Sequence, residues 1–132
     1  CNYVCDITQL ENFQNRLRQE PQNISLLTNC AILLIIDGTN RNIDSQIQLA
    51  IDHLNEIIRL TQPDDPDHTT AVYRKRTLCV YRRRTLQDQY SYYKTAFSTT
   101  KYIDIHDPRE LCDLLDRIVR HIGYYDQILN NM

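Results

Sequence analysis

Val72, Cys79, Leu86 and Tyr93 fall seven residues apart through the middle of the chain, and Tyr90 and Phe97 lie close to the same line. Side chains that keep a seven-residue spacing stay on one face of an α-helix but alternate between the two faces of a strand, so this recurrence predicts a helix. The point needs settling because the segment is also a near-repeat of eight residues, VYRKRTLC followed by VYRRRTLQ, rich in the Val, Tyr and Thr that favour strands. In a helix eight residues advance about 80° beyond two full turns, so the two copies point in different directions. The seven-residue line outlasts the repeat and decides for a helix from about Thr69 to Phe97, on the order of 40 Å long at about 1.5 Å per residue.

Helical signals fill the rest of the chain. Thr8 and Glu11 have the spacing of a capping box, with the helix behind them reaching about Gln19 before Pro21. Ile24 to Ile36 is apolar nearly all round, as suits a helix enclosed by neighbours, and Gly38 reads as its stop. From Ile43, the positions Ile47, Ala50, Leu54, Ile57 and Ile58 draw one stripe. The run PDDPD, Pro63 to Asp67, then breaks the pattern. In the last segment Asp107 is placed to cap, Pro108 suits the first helical position, and Leu111, Leu114, Leu115, Ile118 and Ile122 follow on one side. Two glycines and four prolines leave little material for the turns of a many-stranded protein. The expectation is an all-α chain, residues 1–132 forming a single domain of about five helices. Its longest apolar run, AILLII, is far shorter than the ~20 residues of a membrane span.

Charge is distributed unevenly. Arg74, Lys75, Arg76, Arg82, Arg83 and Arg84 crowd into eleven residues without an acid among them, whereas the rest of the chain holds nine basic against seventeen acidic residues. The planar guanidinium pairs bidentately with carboxylates and phosphates and is weakly hydrated, which suits an interface. On a helix the copies spread these residues into a band, with Arg74, Lys75 and Arg82 on one side of the apolar line and Arg76, Arg83 and Arg84 on the other. The competing reading is that they pair internally, each such surface pair contributing ~0–1 kcal/mol.

Five cysteines in a chain this small, the first of them at position 1 where a Met would open a nascent chain, give the expectation of a secreted protein whose signal peptide has been removed. An amino-terminal Cys is also the residue that carries a bacterial lipid anchor. Cys1, Cys5, Cys30, Cys79 and Cys112 allow two bridges with a spare thiol, one bridge, or an intermolecular link. The alternative for Cys30, Cys79 and Cys112 is reduced core thiols, since each sits among apolar residues. Asn23-Ile24-Ser25 is an N-glycosylation acceptor motif, consistent with secretion.

Signals for catalysis are poor. His53, His68, His106 and His121 show no metal-ligand spacing, there is no CxxC pair, and no glycine-rich loop offers to cradle a phosphate. Asp52-His53, Asp67-His68 and His106-Asp107 are neighbours in sequence, which is weak ground for a dyad assembled in space. The expectation is a protein without cofactor or metal that works by binding and is not an enzyme.

The run RKRTLCVYRRRTLQDQYSYY resembles the long basic helix of gastropod (abalone-type) sperm lysin and its acrosomal paralogues. The matching positions are Lys75, Arg76, Leu78, Arg83, Arg84, Leu86, Gln87, Tyr90, Ser91 and Tyr93. A second similarity covers residues 107–126, at Asp107, Leu111, Leu115, Arg117, Val119, Tyr125 and Asp126. This resemblance implies a lysin-like up-and-down five-helix fold and a secreted, acrosomal protein of fertilization. It implies that such a protein opens the egg envelope without cutting bonds, binding envelope glycoprotein through basic tracks and forming homodimers through an apolar patch. The chain departs from that family in its net charge of −2 and its five cysteines. A short helical cytokine-like receptor ligand is the alternative. Nucleic-acid binding through the arginine helix ranks third, because the acidic remainder of the chain repels a phosphate backbone.

Overall fold

A computed structural model describes residues 7–97 and 108–132 of the chain, and every regular element among them is helical. These elements are α1 (Ile7–Gln19), α2 (Ile24–Asn40), α3 (Asp44–Leu60), α4 (Pro66–Phe97) and α5 (Pro108–Asn130). Among the described residues the all-α reading with five helices therefore holds. Its contacts divide it into two compact units, Cys1–Lys75 and Arg76–Met132, and α4 is continuous through the division.

In the first unit α2 packs against both α1 and α3. One core cluster joins Leu17 of α1, Leu26, Leu27, Cys30 and Ala31 of α2, Leu54 and Ile57 of α3, and Ala71 from the start of α4. Of the predicted α3 stripe, Ile47, Ala50, Leu54 and Ile57 are fully buried, Ile51 joins them, and Ile58 is half-buried. Asn23 caps α2, its Oδ1 accepting the Leu26 amide at 3.1 Å, which satisfies one of the donors that a helix start leaves over.

Three boundaries differ from the sequence reading. Thr8 lies inside the first turn of α1 instead of capping it. Gly38 does not stop α2: it is buried within the helix because α3 comes so close that a Cβ there would meet Ile47 Cγ1 at 3.0 Å and the Ile43 carbonyl at 3.3 Å. The left-handed position that a helix stop requires falls instead on Asn42, with φ 58°, after the Arg41 amide has closed on the Asp37 carbonyl. Finally, α4 starts at Pro66 and not Thr69, because Asp65 supplies the cap, its Oδ1 accepting the Asp67 amide at 2.8 Å.

The second unit holds the remainder of α4 and α5. Leu78, Cys79, Leu86 and Ala96 are buried on α4, and Leu111, Ile118 and Tyr125 on α5, again seven residues apart. Asp107, the predicted cap of α5, lies outside the described residues. No described helix is long and apolar enough to cross a membrane.

Candidate binding surface

All six clustered basic residues lie on α4, and the burial pattern of that helix sorts them. Arg82 follows Cys79 by three residues and precedes Leu86 by four, so it shares the inward face with both; it is 4% exposed and engaged within the chain. This corrects its placement in the surface band. The inward face is wider than the line through Cys79 and Leu86, because Leu78 is buried as well and Arg82 lies between Leu78 and Leu86.

Arg83 is half-buried and its Nη1 donates to Asp126 Oδ1 of α5 at 3.0 Å. Internal pairing therefore holds for Arg83. Arg76 and Arg84 are exposed, and among the described residues neither makes an ion pair. Arg74 and Lys75 belong to the first unit, where both are half-buried and, among the described residues, likewise without an ion pair.

On the second-unit part of α4, Arg76 and Arg84 stand eight residues apart, about 12 Å along the helix. Tyr81, 51% exposed, precedes Arg84 by three residues, and Tyr92, 60% exposed, follows it by eight. At about 100° per residue Arg76, Arg84 and Tyr81 fall on the half of the helix away from Leu78 and Leu86, whereas Tyr92, fourteen residues after Leu78, comes round to within about 40° of the Leu78 line. Asp88 sits four residues after Arg84 and is exposed; with the acid on the C-terminal side this is the weaker order for a helical pair, and none forms. That half thus combines two exposed guanidinium groups, without an ion pair among the described residues, with one large amphipathic ring. Such a surface attracts anions at a distance and offers contact area on arrival. Tyr81 repeats the place of Tyr73 in the octad, and both are exposed, so the repeat itself marks the tyrosine that accompanies Arg84.

Cys30, Cys79 and Cys112 are thiols and not disulfides. The expectation of bridges through these three is corrected. Cys30 and Cys79 are buried core residues, as the apolar-neighbour reading held, whereas Cys112 is exposed on α5. Burial pushes the Cys30 thiol above its ordinary pKa. Cys1 and Cys5 lie outside the described residues.

Asn23 is half-buried and its side chain is occupied at both ends, Oδ1 by the Leu26 amide and Nδ2 toward Glu20 Oε1 at 3.4 Å. Its capping role is a full structural account of the residue. His68 Nδ1 lies 3.1 Å from Thr61 Oγ1, linking the start of α4 to the end of α3. His53 lies in a hollow of about 250 Å³ lined by Gln14, Leu17, Arg18 and Leu49. Burial draws its pKa below the usual 6.5, against the opposing charge of Asp52. His106 lies outside the described residues, and among those described no three His, Cys, Asp or Glu side chains gather as a metal site.

The chain matches no protein-family model, no curated protein and no solved structure.

Proposed function

We propose that the protein is a secreted, non-enzymatic binding protein of lysin-like, gamete-recognition type, which docks the exposed arginine–tyrosine face of α4 on an acidic egg-envelope glycoprotein. The observation that carries this reading is that Arg76 and Arg84 are exposed and make no ion pair among the described residues, with exposed Tyr81 one turn from Arg84. Buried or paired arginines spend their charge inside the molecule; these two keep it for an outside anion. Arg and Tyr are also the residues that most often dominate binding energy at interfaces. The resemblance of residues 74–93 and 107–126 to sperm lysin supplies the biological setting, and the poor catalytic signals agree with an activity that breaks no covalent bond.

The test applies the purified chain to isolated egg envelopes. Stoichiometric dispersal without cleavage products is expected, and Arg76→Glu with Arg84→Glu should weaken it by about tenfold or more while helical circular dichroism is unchanged. Cleavage products, or turnover far beyond stoichiometry, would overturn the reading. Saturable binding to one cell-surface receptor with no effect on envelopes would transfer the same face to the receptor-ligand alternative.

A further inference from the structure

Away from the basic helix, the hollow of about 250 Å³ beside His53 draws its walls from two helices, Gln14, Leu17 and Arg18 coming from α1 and Leu49 and His53 from α3. Residues three and four apart share one face of a helix, so each helix contributes a short row of side chains. Leu17 is buried in the core cluster that joins α1 to α2 and gives the hollow an apolar floor. Gln14 and His53 are half-buried, whereas Arg18 is exposed and Leu49 is 38% exposed, so the hollow reaches solvent on their side.

The lining holds one permanent positive charge and no carboxylate. Arg18 Nη1 donates to Asn15 Oδ1, an uncharged acceptor that steadies the guanidinium without cancelling its charge. Burial lowers the His53 pKa below 6.5, so at neutral pH the ring is uncharged and carries one donor and one acceptor nitrogen. Gln14 adds an amide with both functions. Few polar groups converging on an apolar floor and wall are the usual make-up of a small-ligand site. We propose that this hollow binds a carboxylate carried on a compact apolar body, the chemistry of an N-acylated leucine, free or at the end of a peptide chain.

Each lining group then has a part. The Arg18 fork takes the carboxylate oxygens, the apolar body lies against Leu17 and Leu49, and Gln14 and His53 are left for the acyl amide. A water occupies about 30 Å³ of liquid, so the hollow has the volume of about eight waters, which suits one such residue and not a longer ligand. A phosphate or sulfate would engage Arg18 but leave both leucines uncovered, and a wholly apolar ligand would strip water from Arg18, Gln14 and His53 without replacing it. The site uses no residue of α4, so it stands or falls apart from the envelope-binding reading.

Titration of the full chain with N-acetyl-leucine at neutral pH, followed by NMR, tests this. Signals of the His53 ring and the Leu49 methyls should move saturably, with a dissociation constant on the order of 1 mM, as suits a ligand of this size. N-acetyl-leucinamide, which lacks the charge, and acetate, which lacks the apolar body, should each bind at least about tenfold more weakly. Arg18→Gln should weaken N-acetyl-leucine binding by about tenfold, Arg18→Lys by less, and Leu49→Asp should abolish the saturable shift, all with helical circular dichroism unchanged. A short peptide ending in leucine separates the two sources: binding like that of N-acetyl-leucine admits chain ends, and no binding confines the site to free acids. Shifts at His53 and Leu49 that are absent or do not saturate overturn the proposal, as does an amide that binds as well as the acid, or an Arg18→Gln chain that binds like the wild type.

Discussion

Arg83 of α4 donates through Nη1 to Asp126 Oδ1 of α5 at 3.0 Å, across 43 residues of sequence. Their side chains are 37% and 42% exposed, so water screens the pair and its net worth is about 0.5–1 kcal/mol. Arg83→Ala and Asp126→Ala should each destabilise the fold by about that amount, with a comparable coupling energy in the double-mutant cycle. Because this arginine is already engaged, Arg83→Glu should reduce partner binding less than Arg76→Glu with Arg84→Glu, while lowering the denaturation midpoint more. Equal effects on both measurements would remove the distinction between the paired and the exposed arginines.

The two glycines should respond with opposite sign. At Gly123 an added methyl meets open space, so Gly123→Ala should raise stability by about 0.5–1 kcal/mol through helix propensity alone. At Gly38 the same methyl would press on the buried Ile47 side chain and on the Ile43 carbonyl, backbone that cannot swing aside, and also stand 3.2 Å from Gln46 Cβ. There the propensity gain is outweighed, and Gly38→Ala should lose on the order of 1 kcal/mol. Chemical denaturation of the two variants checks both signs.

Thiol accessibility follows from burial. Under native conditions a maleimide should modify Cys112, which is exposed, and spare Cys30 and Cys79, which are buried. At Cys30 burial also raises the thiol pKa, which lowers the reactive thiolate fraction further. Both buried residues should react once denaturant is added. Mass spectrometry of peptides from the labelled chain reads the pattern directly, and native labelling of Cys30 would contradict the α2 core.

The pH dependence of stability should carry the signature of His53. Burial lowers its folded pKa beneath 6.5, so the unfolded chain takes up the proton more readily than the folded one. Stability is thus fully present above 6.5 and declines as pH falls from there toward the folded pKa. Asp52 beside it acts the other way, without outweighing burial. His53→Gln should flatten this part of the profile, measured as thermal midpoint against pH.

Local and periodic features were legible in the sequence. The stripe through Ile47, Leu54 and Ile57, the line through Cys79 and Leu86, and the end of α4 at Phe97 all follow from one chain's own geometry, because residues seven apart share a face whatever lies beyond it. Periodicity gives the direction of the buried face but not its width. Arg82 was misplaced for that reason: only the packing of α4 shows that the inward side extends from Leu86 across to Leu78.

The sequence by itself determined that the chain is helical, where its helices run, and that positive charge concentrates on one of them. The tertiary structure alone decided which of those charges remain outside: it buried Arg82, gave Arg83 to Asp126, and left Arg76 and Arg84 in solvent. It likewise turned Gly38 from a helix stop into a contact point. The physical reason is the same in each case. Helix formation depends on neighbours a few residues away, whereas the fate of a charge or of a missing side chain depends on what another helix brings up against it.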